Sequence, residues 1–105
     1  MNFYSHRAQG FVRVAVCTPR VTVADPQANV TQTLTLAHQG QGRGADLMLF
    51  PELGISAYAI DDLLLQDALL KRVDAELCRL VAASADLNPV LVVGAPLAHN
   101  GRLYN

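Results

Sequence analysis

Asp46-Leu47-Met48-Leu49-Phe50-Pro51-Glu52-Leu53 reads as a strand with a hard stop and a carboxylate just beyond it. Leu47 to Phe50 are all apolar, without the alternation of a half-solvated strand, which fits a strand covered on both faces in a parallel sheet. Pro51 has no N–H to give to a ladder and ends the strand. In open parallel sheets, ligands bind beyond the carboxyl ends of the strands, where loops gather. Glu52 falls at that position. A carboxylate partly desolvated there suits general acid–base work near neutral pH. The plainer reading, a helix-capping or surface glutamate, stays open at this point.

Upstream, Phe11 to Cys17 is β-branched and nearly all apolar, and reads as a first strand buried on both faces. Asp25-Pro26 is a helix start, since the aspartate can cap free N–H groups and proline suits the first helical position. Val30, Leu34 and Ala37 follow at helical spacing, so a helix is expected from Pro26 to Gln39, ended by Gly40, Gly42 and Gly44. Val30, Thr31, Thr33 and Thr35 give it modest intrinsic propensity, so packing must support it.

Downstream, a loop runs from Glu52 to Ile60. Leu65, Leu69, Val73, Leu77 and Leu80 then form a helical stripe, predicting a helix from Asp62 to Ala85. Arg72 and Glu76 are spaced for an ion pair on its solvated face. Asn88-Pro89 closes it. Val90 to Ala95 reads as a third buried strand, His99-Asn100-Gly101 as a hairpin turn, and Leu103-Tyr104-Asn105 as the start of a fourth strand. Strand, helix, strand, helix, strand predicts an α/β fold with two right-handed crossovers and a parallel core. Such a sheet is short of cover on one face or edge. Residues 1–105 are therefore expected to be the N-terminal part of a larger domain.

The chain has 105 residues, 51% of them hydrophobic, and 8 basic residues against 9 acidic ones. That balance describes a folded chain and gives no electrostatic basis for binding nucleic acid or an anionic membrane. No apolar run approaches the ~20 residues a membrane helix needs, and Met1 to Gly10 lack the apolar stretch of a signal peptide. A cytoplasmic location is expected. Two cysteines cannot build a disulfide framework or a four-thiolate zinc site.

Other candidates are weaker. Ser56 and Tyr58 share the loop with Glu52, although a loop tyrosine more often packs its ring and bonds its hydroxyl locally. Asp61-Asp62 most simply cap the long helix and complement its dipole. A divalent-cation site is the sharper but less supported alternative there. Cys17 and Cys78 have no histidine near them in sequence and read as core filling. His6, His38 and His99 show no metal-ligand spacing. The glycines at 40, 42 and 44 follow a helix and open a strand, the reverse of a phosphate cradle.

Leu49-Phe50-Pro51-Glu52-Leu53 with Ser56 and Tyr58, after a first strand and a helix opening at Asp25-Pro26, resembles the nitrilase superfamily. Val93-Gly94-Ala95-Pro96 and Leu103-Tyr104-Asn105 sit where that superfamily has its next strand and hairpin. Ala59-Ile60-Asp61-Asp62-Leu63-Leu64-Leu65-Gln66 is similar to the segment marking its glutaminase branch, the N-terminal domain of bacterial glutamine-dependent NAD+ synthetases. The opening Met1-Asn2-Phe3-Tyr4-Ser5 and Gly10 to Ala15 are also similar to that branch. The resemblance covers essentially the whole chain.

The resemblance implies the N-terminal part of a nitrilase-like α-β-β-α sandwich and a Glu-Lys-Cys amidase. In that chemistry a cysteine thiolate attacks the glutamine amide, forming a thioester and releasing ammonia. The glutamate moves the proton and the lysine stabilises the oxyanion. Ammonia then serves ATP-dependent amidation of deamido-NAD+ in a C-terminal synthetase domain, where ATP and Mg2+ belong. Homo-oligomers are common in the family. Only Glu52 matches the triad, as general base and acid. Lys71, Cys17 and Cys78 do not match, so this segment alone is expected to be inactive. Tyr58 is carried as a candidate substrate-side residue, and no cofactor is expected in this segment. The family usually has Ser-Gly-Tyr where this chain has Ser56-Ala57-Tyr58. If the backbone there needs a positive φ, alanine is strained by about 1 kcal/mol or more. Competing expectations are a stand-alone amidase, such as an ω-amidase or carbamoyl-amine hydrolase, and a non-catalytic α/β interaction module.

Overall fold

A computed structural model describes residues 2–105. The fold is α/β. Three short strands, β1 (Val14–Val16), β2 (Leu47–Leu49) and β3 (Val90–Val92), form one parallel sheet in the order β1-β2-β3. Helix α1 (Pro26–Gly42) joins the first two strands. A 3-10 helix (Asp61–Leu65) and helix α2 (Asp67–Ser84) lie between the second and third. A separate antiparallel hairpin, β4 (Leu97–His99) and β5 (Arg102–Tyr104), follows. Among the described residues no helix is long and apolar enough to cross a membrane.

The start of α1 follows the chemistry of its first residues. Asp25 Oδ1 accepts from the Ala28 backbone N–H at 3.1 Å, and Pro26 occupies the first turn without a donor to strand. The helix outlasts the expected stop at Gln39 and includes Gly40 and Gly42. Gly40 is there because β2 passes so close that an added Cβ would lie 2.5 Å from Met48 Cε. Gly44, at φ +75°, is the actual stop.

Consecutive strands joined by right-handed crossovers place both helices on the same side of the sheet. The burial follows that rule. Ala15, Met48 and Leu91 turn toward the helices, with Met48 buried among Ala37, Ala45 and Phe50. A second cluster, including Val30, Ile55, Leu69, Val73 and Leu80, binds the helices to each other and to the loop after β2. The opposite face carries Val14, Val16, Leu49, Val90 and Val92, and all five are exposed. The strands are therefore not covered on both faces, as their composition suggested. Phe11 and Val12 are exposed too and precede β1 rather than belonging to it.

Other departures are local. The single helix expected over Asp62–Ala85 is divided, because Gln66 takes an extended conformation between the 3-10 helix and α2. Asp61 and Asp62 thus lie in the first turn of the 3-10 helix, and Asp67 lies in the first turn of α2. Arg72 pairs with Asp25 at 3.8 Å rather than with Glu76, which takes Arg79 at 2.6 Å. Strand β3 is shorter than expected, and Leu97–His99 forms a strand that periodicity did not indicate. The hairpin turn lies at Asn100-Gly101, with φ of +49° and +72°, as the Asn-Gly pair favours.

Candidate functional site

The chain leaves β2 at the carboxyl edge of the sheet and enters a loop with several clamps. Phe50 N–H donates to Val92 O at 2.9 Å, which carries β2 up to Pro51. Gly54 N–H returns to Pro51 O at 3.1 Å, and Ala57 N–H to Leu53 O at 2.9 Å. Ile55 N–H bonds Gly94 O at 3.1 Å, just past β3. From the other side comes Asn29, buried on α1. Its Nδ2 donates to Ile55 O at 2.9 Å and to Thr22 O at 2.8 Å, and its Oδ1 accepts from Thr22 N–H at 2.7 Å. Both donors and the carbonyl oxygen of one buried amide are engaged in holding this loop to α1 and to the segment that leads into it.

Gly94 is the tightest element of the site. A Cβ there would meet Leu53 N at 2.5 Å, Pro51 O at 2.7 Å and the Glu52 carbonyl carbon at 3.0 Å. The segment just past β3 thus lies against the backbone that carries Glu52. Sequence reading placed Gly94 inside a strand and missed this role, as it missed Asn29. The available signal was the glycine itself, since an isolated glycine in a strand pattern often marks a close backbone approach.

The loop is conformationally strained. Leu53 at φ +51° and Ala57 at φ +82° occupy the left-handed region that L side chains rarely adopt. The alanine at position 57 therefore stands where glycine would be favoured, as the sequence comparison with the family anticipated. Ser56 is fully buried, with its hydroxyl donating to Ala57 O at 3.1 Å, so it supports the loop and does not face a cleft.

Glu52 is exposed, so these residues do not supply the desolvation expected of it. Its Oε1 accepts a hydrogen bond from Asn105 Nδ2, a partner 53 residues away that no local pattern in the chain pointed to. Tyr58 is 66% exposed and its hydroxyl makes no hydrogen bond among the described residues, so it is not locally tied down. Glu52 and Tyr58 share the loop, and no hydrogen bond joins them.

The cysteines divide. Cys17 packs beside the cluster around Met48, and burial pushes its thiol pKa up, which disfavours the thiolate a nucleophile needs. Cys78 is exposed on α2, which corrects its reading as core filling. Lys71 is exposed on the same helix. His6 is an anchor, with Nε2 lying 3.0 Å from Asp46 Oδ2. Among the described residues, no group of three or more histidine, cysteine or acidic side chains could hold a metal ion.

Comparison with known proteins adds to this geometry. Residues 13–105 match the carbon-nitrogen hydrolase family. The chain is 55% identical over 105 residues to a glutamine-dependent NAD(+) synthetase of Mycobacterium tuberculosis, covering all of this chain and 16% of that protein. Among solved structures, a glutamine-dependent NAD(+) synthetase from Cytophaga hutchinsonii superposes with TM-score 0.81 over 90% of this chain and 16% of its own, a likeness of fold at 22% identity. An amidase from Nesterenkonia sp. gives TM-score 0.71 at 29% identity, over 81% of this chain and 32% of that one. The chain thus spans about a sixth of the length of the synthetase relative, 16%.

Proposed function

This chain belongs to the carbon-nitrogen hydrolase family, and on that premise we propose that it forms part of a glutamine amidase site in which Glu52 is the general base and acid. The observation carrying the reading is the position of Glu52. It lies just beyond a parallel strand, on a strained loop held by Asn29 and Gly94, in a chain alike along its whole length to part of a glutamine-dependent synthetase.

A carboxylate on such a loop can take the proton of an attacking thiol and pass it to departing ammonia, provided its backbone is fixed. The attacking thiol and an oxyanion-stabilising cation must come from elsewhere in the full-length protein. Cys17 is half-buried with its thiol pKa pushed up, and Cys78 and Lys71 lie exposed on α2. On this reading the segment by itself is expected to turn over no glutamine. Tyr58, unanchored on the same loop, is the residue we place on the substrate side.

The ammonia would serve ATP-dependent amidation of deamido-NAD+ by a synthetase domain of the parent chain, which would hold ATP and Mg2+. The likeness to the Nesterenkonia amidase favours a second reading, a stand-alone amidase with the same base. Glu52→Gln in the full-length protein separates the two. A synthetase loses glutamine-driven NAD+ formation and keeps synthesis from added ammonia, whereas a stand-alone amidase forms no NAD+ from either. Unchanged glutamine turnover would refute the role of Glu52 in both.

A further inference from the structure

We propose that Asn105 is the positioning residue for Glu52, holding one carboxylate oxygen so that the other is free and aimed for proton transfer. The inference rests on the reading of Glu52 as the amidase base. Its support is the path of the backbone to Asn105. The Asn100-Gly101 turn, with both residues at positive φ, fixes the register of the hairpin, pairing Leu97 with Tyr104 and His99 with Arg102. Continued by one step, that register sets Asn105 beside Pro96. Pro96 is fully buried, and two residues before it Gly94 lies against Pro51, Glu52 and Leu53. The hairpin thus returns the chain to the loop whose backbone its own beginning holds in place.

The chemistry of the contact suits positioning. Asn105 Nδ2 donates to Glu52 Oε1, and Oε2 has no hydrogen-bond partner among the described residues. The opposite amide orientation would set a carbonyl oxygen against a carboxylate, so the donor arrangement is the one an ionised Glu52 selects. A neutral amide orients a carboxylate without the full charge of a lysine or arginine, and it has no titrating proton to exchange with it. Torsion of the glutamate side chain is restricted while the carboxylate keeps its capacity to accept a proton. That is the kind of preorganisation proton transfer benefits from.

The test uses the full-length protein and measures kcat and KM for glutamine alongside the rate with added ammonia. Asn105→Leu keeps the side-chain size and removes the donor, Asn105→Asp replaces the donor with an acceptor, and Asn105→Gln keeps an amide donor. The proposal expects kcat for glutamine to fall about 10-fold or more in the leucine variant and further in the aspartate variant. KM and the ammonia-driven rate should stay within about two-fold of wild type, with partial recovery of kcat in the glutamine variant. Wild-type kcat in the leucine variant, or a rise in KM alone, overturns the proposal. Loss of the ammonia-driven rate in all three variants overturns it as well, by assigning Asn105 a structural role. Glu52→Gln, run in parallel, keeps the two readings distinct. If it is inactive with glutamine while Asn105→Leu is normal, only the positioning role fails. If it is active, the Glu52 reading itself fails.

Discussion

Gly94 and Pro51 approach so closely that a Cβ on Gly94 would lie 2.7 Å from the Pro51 carbonyl oxygen. All three nearest neighbours of that missing atom are backbone, so rotation of a side chain cannot relieve the contact. Gly94→Ala should therefore destabilise the protein by about 1–3 kcal/mol, the range for overpacking a rigid site. Placed in the full-length protein, it should also reduce the proposed glutamine turnover, because the displaced backbone carries Glu52. Thermal melting with a glutamine-hydrolysis assay checks both. A variant with unchanged melting and turnover would show that the approach is not required.

Ala57 sits at φ +82° and is buried, so two effects compete on its replacement by glycine. Relief of the left-handed conformation is worth about 1–2 kcal/mol, and loss of the buried methyl about 0.8 kcal/mol. We expect Ala57→Gly to be neutral or stabilising by up to about 1 kcal/mol, and Ala57→Val to cost about 2 kcal/mol or more, since a β-branched residue is poorly tolerated there. Urea unfolding of the three proteins gives the order. Alanine more stable than glycine by over about 1 kcal/mol would mean that packing outweighs backbone conformation.

Asp46 ties the N-terminal segment to the start of β2. Its carboxylate accepts from Arg13 N–H at 2.7 Å, and pairs with His6 Nε2 at 3.0 Å and Arg7 Nε at 2.5 Å. The Arg13 N–H first, then His6 and Arg7, hold its carboxyl well below the usual carboxylate range. A group lowered in the folded state binds fewer protons there than in the unfolded chain, so its stabilisation is complete above the unfolded value of about 4. It disappears as pH falls through the lower folded value. Asp46→Asn should thus be less stable than wild type at neutral pH, and the gap should close in acid below about pH 4. Denaturant unfolding from neutral pH into acid measures it, and a gap that widens with acidity would contradict the assignment.

These residues also show what could be read from the chain. The Asp25-Pro26 helix start, the Asn100-Gly101 turn and the stop at Pro51 are matters of local hydrogen bonding and dihedral preference, and they were legible. Parallel order followed from alternating strand and helix patterns. Exposure of Val14, Val16 and Val92 was hidden, because composition cannot tell a covered apolar face from a bare one. Gly40 inside α1 was hidden as well, since its reason is Met48 on another element. The site divided the same way. Glu52 was visible from its place after a strand, whereas Asn29, Gly94 and Asn105 hold its loop and side chain through contacts 26 or more residues distant in the chain.

Glu52→Gln in the full-length protein tests the central claim most directly, because it removes the proton acceptor while keeping the size of the side chain. NAD+ formation would be followed with glutamine and, separately, with added ammonia. The account predicts loss of the glutamine-driven rate by about 100-fold or more, the scale of a missing general base, with the ammonia-driven rate retained. A glutamine-driven rate equal to that of wild type would contradict it.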